Sequence, residues 1–566
     1  RNDTTGESIL VSTQTFAKYF YNKDSSKFWK SQFNWEKLEK DFIIDKQFVK
    51  LNDSVAGYRY SLLDTNSTRK IMGLDFLKNN RMFRIATLTD NVGKESFFIK
   101  KFFDSFLPDT THFGLSVFEN KLNQFFDDYY SKDSAVKKKA NSALSNIYYG
   151  STGFYKIKEA VNKLKLGDKD YFDLKSRFIY ELGYIDDSCC TSQVVAYLKD
   201  LYNQTADTSS FQNPVVISLA RLKTQGSYTL LKELLVQDPP VFGGDYGYTD
   251  IFTAMHDSLA LAKTMFPEIL QLASLDDYKK PVNALLRTLV DSGYLKSTDY
   301  ETYYSKLYFD AKIELKKQQG RDEKVVEKEN NKDEEENNTN GNFSTSRNRY
   351  NNDAGTGNID DYAILLMPFY DKYPAVQKYF DKLLLSKDDA LKLNTSILML
   401  RNNRKVPDSI FENLAAKDQF RSRLLKDLED IKKVNLFPSK YKTQELVARS
   451  LLLANQNREK FYSIELFDKK LIEVKNKRGW VYFFKYKLKK ADEWQMGISG
   501  LQPENLAEVS SNDDLVKMLD KKVRDDEPVM EQYEKKLKQL IFSLRKSAAN
   551  FFNDRDYRSM INDYDN

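Results

Sequence analysis

The sequence predicts a mainly α fold, a HEAT-like solenoid of helical hairpins with a small α+β module at its N- and C-terminal ends. Three observations carry that expectation. Apolar helical segments recur at a spacing of about forty residues, strand-like alternation is confined to the two ends, and turn-forming residues are rare. With 21 Gly and 12 Pro in 566 residues, the chain lacks the turn chemistry of a many-stranded sandwich or barrel. Hydrophobic residues make up 41% of it, enough core material for several domains.

Residues 1–130 read as the first α+β module. A polar lead-in holds a short aromatic helix candidate from Phe16 to Tyr21. The segments FIIDKQFVKL, GYRYSLLD, KIMGLDFL and RMFRIATLT then alternate or run apolar between Asn, Asp and Gly, as strands do. A helix opening near Gly93 sets Phe97, Phe98, Lys101, Phe102 and Phe106 at roughly helical spacing to cover the sheet.

Residues 131–320 read as HEAT-like repeats, each an apolar helix, a polar turn and a second apolar helix. Leu144, Leu182, Leu222 and Leu259 mark comparable first-helix positions, 38, 40 and 37 residues apart. Gly226 and Gly293 suit helix C-caps, and Pro214 and Pro281 suit first turns. An irregular helical bundle is the competing reading. The stretch 321–358 is rich in Asn, Glu, Lys and Asp and too poor in apolar residues to offset chain entropy, so a disordered polar linker is expected there.

Helical repeats resume over 359–458, and 459–566 forms a C-terminal α+β cap. Its strands are YSIELFDKKLIEV, GWVYFFKYKL and EWQMGISGL, where Trp480 and Trp494, with Tyr482, Phe484 and Tyr486, have the period-two alternation of a half-buried sheet. A long charged helix from about Glu527 to Phe552 closes the chain, carrying Leu537, Leu540, Leu544 and Phe551.

Composition narrows the function. The 88 Lys+Arg are interleaved with 82 Asp+Glu, and a formal charge of +6 spread over so large a surface gives no basic stripe for nucleic acid. Cys189 and Cys190 are the only cysteines and are adjacent, so no disulfide framework is expected. No apolar run of about 18 residues predicts a transmembrane helix. A first residue of Arg1 rather than Met fits a processed or truncated chain.

Reactive constellations are scarce. His112 and His256 are the only histidines, too few for a His-rich zinc site, and neither sits in a nucleophile setting. The acidic DDYYSKDS lacks the glycine and terminal glutamate of a calcium loop. VFGGDYGYTD, residues 241–250, has three glycines but no phosphate-loop pattern, and reads as a loop after the stiff Asp238-Pro239-Pro240. Its aromatics Phe242, Tyr246 and Tyr248 are the candidate partner-binding residues, within a docking surface expected over 213–310. No catalytic residue, metal, cofactor or small-molecule substrate is predicted; the expected partner is another protein.

Read in order, FFDSFLPDT, SVFENKLNQFFDDYYSKDS, KDYFDLKSRFIYELGYI and LARLKTQGSYTLLKELLVQDPP resemble the non-catalytic part of large TraB/GumN-type envelope proteins of Bacteroidota, over roughly residues 40–320. That family's catalytic domain carries a Gly-x-x-His motif, and neither His112 nor His256 has a glycine three positions ahead, so no catalytic residue carries over. The resemblance implies a periplasmic or outer-membrane-peripheral subunit of a membrane-associated complex, with a cytoplasmic location left open. The expectation is a non-enzymatic protein-binding scaffold of a bacterial cell-envelope assembly. The alternative is the docking region of a TraB/GumN-type hydrolase whose catalytic domain lies outside this sequence.

Overall fold

The computed structural model describes residues 1–544 apart from 34, 40–41, 53–54, 65–66, 94, 109–112, 186–189, 206–208, 242–244, 331–358, 455–460, 475–476, 489–492 and 525. The fold is mainly α with two small antiparallel sheets, and it divides into two compact units, Arg1–Ala254 and Met255–Phe542.

In the first unit, β1 (Ile9–Thr15), β2 (Ile43–Asn52), β3 (Val55–Leu63), β4 (Arg69–Lys78) and β5 (Arg81–Asp90) form one antiparallel sheet in the order β1-β5-β4-β3-β2. The pleat sends Leu74, Phe76, Phe83 and Ile85 to one face, where Ile99 and Phe103 of the helix Phe97–Ser105 bury them. Tyr60, Leu62, Ile71 and Met82 take the other face, under Phe28, Trp29 and Phe33 at the helix Ser25–Gln32 and its C-cap.

Alternation located β2 to β5; β1 was missed because Ile9, Leu10 and Val11 run straight into Ser-Thr-Gln-Thr. Phe16–Tyr21 is not helical. Phe16 and Tyr19 are buried, and the backbone N–H of Phe16 donates to Asn80 O at 2.8 Å, which ties the segment to the β4–β5 turn. The helix begins later, where the side chain of Asp24 accepts from Lys27 N at 3.0 Å. Phe97, expected to face the sheet, is 79% exposed, because Ile99 and Phe103 take the inward face.

Beyond residue 131 the helix Tyr171–Leu182 packs on Ser209–Arg221, which also meets Thr191–Gln204 and Gln225–Gln237. The leucine spacing does not mark equivalent positions. Leu182 ends a helix, Leu222 follows one, Leu144 starts a 3-10 turn and Leu259 starts a short helix, so counting leucines overstated the regularity. Gly226 is no C-cap. It lies in the first turn of Gln225–Gln237, where Thr224 and Ser227 form a capping box.

Both prolines lie deeper in their helices than the first turn. Pro214 removes the donor for Ser210 O, and the hydroxyl of Ser176 donates to that carbonyl instead at 3.1 Å. Pro281 likewise sits inside Asp276–Asp291. Gly293, by contrast, has φ +72° just past that helix, as a left-handed C-cap requires.

In the second unit the helix Tyr304–Asn330 runs into the segment assigned to the polar linker. Burial of Leu307, Ala311 and Leu315 holds it, and Gln318 Nε2 donates to Asp322 Oδ1 at 2.9 Å, bonds that composition does not reveal. The rest of that linker, 331–358, lies outside the described residues. The second sheet runs β6 (Phe461–Val474), β7 (Lys477–Leu488), β8 (Gln495–Pro503) and β9 (Lys517–Lys522) in that order. Tyr482, Phe484 and Tyr486 pack with Ala448 and Leu452 of the helix Gln444–Leu453, while Tyr533 of Val529–Leu544 lies 5.0 Å from Phe483 on the other face. β9, KMLDKK, went unpredicted because most of it is charged or polar. Of the long terminal helix, residues 545–552 lie outside the described part. No described helix is long and apolar enough to cross a membrane.

Candidate functional site

Pairing of β2 with β3 sets Phe48 opposite Tyr58 and Lys50 opposite Ala56, and the pleat puts Lys46, Phe48, Lys50, Ala56 and Tyr58 on one face. The helix Ser25–Gln32 and the short helix Trp35–Leu38 pass over that face and contribute Trp29, Phe33 and Trp35. Ser116 and Phe118 close one side. These residues bound a cleft of about 970 Å³, near the upper end of the roughly 300–1,000 Å³ that ligand sites occupy.

The rings form one continuous array. Phe33 and Trp35 stack with centroids 4.3 Å apart. Tyr58 stands among them, meeting Trp29, Phe33, Trp35 and Phe48 edge to face at 5.7, 5.7, 5.8 and 5.2 Å. Trp29 and Phe33 are buried and fix the floor, whereas Phe48 and Phe118 are 46% and 37% exposed and form the rim. Lys46 Nζ lies 5.0 Å from the Trp35 ring, a cation–π contact that holds the indole from its solvent side.

One oxygen of each wall carboxylate is engaged, Glu36 with Lys30 at 3.1 Å and Glu39 with Lys46 at 2.9 Å, and Ser116 Oγ accepts from Phe118 N at 3.2 Å. Among the described residues, the indole N–H groups of Trp29 and Trp35 and the hydroxyl of Tyr58 have no hydrogen-bond partner, and none of the three is sealed from solvent. The floor strand β2 is also the last strand of its sheet, so its outer backbone edge has no strand partner among the described residues. Flat apolar surfaces, unmet donors and an open strand edge suit binding of an extended chain.

Of the residues singled out from sequence, Phe242 and His112 lie outside the described residues. Tyr246 and Tyr248 belong to the helix Asp245–His256 rather than to a loop, and their side chains lie outside the described part. Burial of Ile251, Phe252 and Ala254 favours helix there despite the cost of Gly247. His256 is at the end of that helix, where burial, then the nearby Arg287, lowers its pKa and favours the neutral ring. Cys190 is buried and precedes the helix Thr191–Gln204, and Cys189 lies outside the described residues.

Two of the three acids of DDYYSKDS are structural. Asp133 caps Ser134–Ala143 by accepting from Ala135 N at 2.8 Å, and Asp128 accepts from Lys18 Nζ at 2.6 Å and from the Tyr19 hydroxyl at 2.7 Å. Among the described residues, no group of three or more His, Cys, Asp and Glu is placed to hold a metal ion.

A smaller hollow of about 380 Å³ is lined by Ser145, Ile147, Tyr180, Glu181, Tyr184 and Arg221. The Arg221 guanidinium lies 5.6 and 5.1 Å from the Tyr180 and Tyr184 rings, which makes it packing between helices.

The cleft residues were missed in the sequence because they straddle elements. Trp29, Phe33 and Trp35 come from FWKSQFNW, Phe48 from one strand and Tyr58 from its neighbour. Two tryptophans and two phenylalanines within eight residues was the available signal. Comparison with family models, curated proteins and solved structures finds no match for this chain.

Proposed function

We propose that this chain is a non-catalytic, protein-binding scaffold whose docking site is the aromatic cleft of the N-terminal module. The observation that carries the reading is the aromatic cleft wall, where Trp29, Trp35 and Tyr58 donate to no described residue. Partially exposed tryptophan, tyrosine and phenylalanine around a fixed floor supply contact area at little entropic cost, the makeup of a binding hot spot.

The helices between Tyr171 and Gln237 support the scaffold half of the proposal. Tyr171–Leu182 beside Ser209–Arg221, and Thr191–Gln204 beside Gln225–Gln237, form two rows consistent with a HEAT-like frame. The resemblance to TraB/GumN-type proteins would assign such a frame to a bacterial envelope assembly, either on its own or as the docking part of a hydrolase.

Selection from a display library of random peptides on the full-length chain tests the docking reading. Peptides that bind the native chain and are lost on the Phe48→Ser, Phe118→Ser double variant support it. Selected peptides that bind the double variant equally well, or the absence of any selected peptide, contradict it.

A further inference from the structure

We propose that the occupant of the cleft is a proline-rich segment in the polyproline II conformation, carrying a carboxylate beside its prolines. This rests on the docking reading above and deepens it.

The first argument is hydrogen bonding. A polyproline II chain has no internal hydrogen bonds, and its prolines offer a strong carbonyl acceptor at each residue and no N–H donor. A site for it therefore needs donors, and the wall supplies them: Trp29 Nε1, Trp35 Nε1 and the Tyr58 hydroxyl have no hydrogen-bond partner among the described residues.

The second argument is shape. Pyrrolidine rings are rigid and pack against flat aromatic surfaces, and a chain already in its bound conformation loses little entropy on docking. Phe48 and Phe118 at the rim, with Tyr58 between β2 and the helices, offer a row of such surfaces along a cleft of about 970 Å³.

The third argument is charge. Lys50 is exposed at the mouth of the cleft and has no ion pair among the described residues, so a carboxylate flanking the prolines would meet it.

Two other occupants fit less well. A glycan presents hydroxyls that each donate and accept, and Glu36 and Glu39, which would take its donors, each already share one oxygen with a lysine. A β-strand added to the edge of β2 would satisfy backbone groups and leave the indole and phenol donors unmet. Within the sequence given, Pro239 and Pro240 are the only adjacent prolines and no Pro-x-x-Pro occurs, so the occupant is sought in a separate polypeptide.

Calorimetric titration of the full-length chain with four probes tests this: a nonaproline peptide flanked by two glutamates, the same peptide flanked by two lysines, a Gly-Ser peptide of equal length flanked by two glutamates, and a cello-oligosaccharide. The glutamate-flanked proline peptide should saturate one site, the lysine-flanked one should bind about threefold more weakly or worse, and the other two should not bind. Tyr58→Phe, which keeps the ring and removes the donor, should weaken the proline peptide about fivefold, and Phe48→Ser about tenfold or more, with thermal melts confirming that both variants fold. A Gly-Ser peptide that binds as tightly as the proline peptide overturns the proline assignment and leaves the docking reading standing. Binding of the oligosaccharide alone overturns both. If no probe binds, the proline assignment falls, and the display selection decides the docking reading separately.

Discussion

The two sheet modules use the same kinds of residue and end differently. Each seats a lysine over a tryptophan, Lys46 at 5.0 Å from the Trp35 ring and Lys469 at 4.9 Å from the Trp480 ring. Each presents tyrosines to the helix that crosses the sheet. In the C-terminal module Trp480 and the tyrosines are satisfied, with Trp494 the exception: Trp480 Nε1 donates to Glu504 O at 3.1 Å, Tyr482 to Gln444 Oε1 at 3.0 Å, Tyr486 to Leu519 O at 3.2 Å and Tyr533 to Phe484 O at 2.6 Å. In the N-terminal module Trp29, Trp35 and Tyr58 donate to no described residue. An aromatic residue whose polar tip is paired is part of the fold, whereas one whose tip is left open beside a cavity is available for recognition.

Gln444 is the sharpest point at which to break that comparison. Buried at 3% exposure, it donates to Pro503 O, Asn505 O and Glu508 O at 2.9, 3.0 and 2.8 Å and accepts from Tyr482. Gln444→Ala leaves those buried groups unmet and should cost about 2–4 kcal/mol, read as a lower urea midpoint, with proline-peptide affinity unchanged. A loss of peptide affinity with stability kept would exchange the roles of the two modules.

Lys121 of the N-terminal module is next in size. It is 2% exposed and donates to Phe20 O at 2.7 Å, and burial pushes its pKa down to about 8, against a weaker opposing pull from Glu119. Between pH 8 and its usual value near 10.5 the unfolded chain binds more protons than the folded one, so stability should rise with pH across that window. Below pH 8 the lysine is charged in both states and adds no slope. Lys121→Met should flatten the rise in urea midpoint between pH 8 and 10; an unchanged slope would mean that another group titrates there.

Tyr58→Phe should shift stability by no more than about 0.5 kcal/mol, since the hydroxyl bonds to no described residue. A drop as large as that of Gln444→Ala would place Tyr58 in the fold rather than at a site. The smallest effect is expected from the double substitution Tyr246→Ser, Tyr248→Ser, on the helix Asp245–His256 and not among the cleft-lining residues. Peptide capture should not change; a loss of tenfold or more would return the docking surface to the 213–310 region expected from sequence.

What was legible in the sequence follows the same physics. β2 to β5 and β6 to β8 announced themselves because their faces alternate or stay buried, while β1 and β9 did not, one apolar only at its start and the other mostly charged or polar. Helices were recognisable, but their ends were not: Pro214 sits inside a helix, and the carbonyl it frees accepts instead from Ser176, thirty-eight residues earlier in sequence. The cleft was invisible for a related reason. Phe48 and Tyr58 meet through strand register and Trp29 through the helix that crosses them, and the decisive property, a donor without a partner, belongs to their surroundings rather than to any residue's identity.

The chain has four tryptophans, at positions 29, 35, 480 and 494, so its indole N–H signals in an ¹⁵N-labelled NMR spectrum test the account directly. On titration with the glutamate-flanked proline peptide, the Trp29 and Trp35 signals should move together and saturably, and the Trp480 signal, already bonded to Glu504 O, should stay in place. Movement of Trp480 or Trp494 with Trp29 and Trp35 unmoved would contradict it.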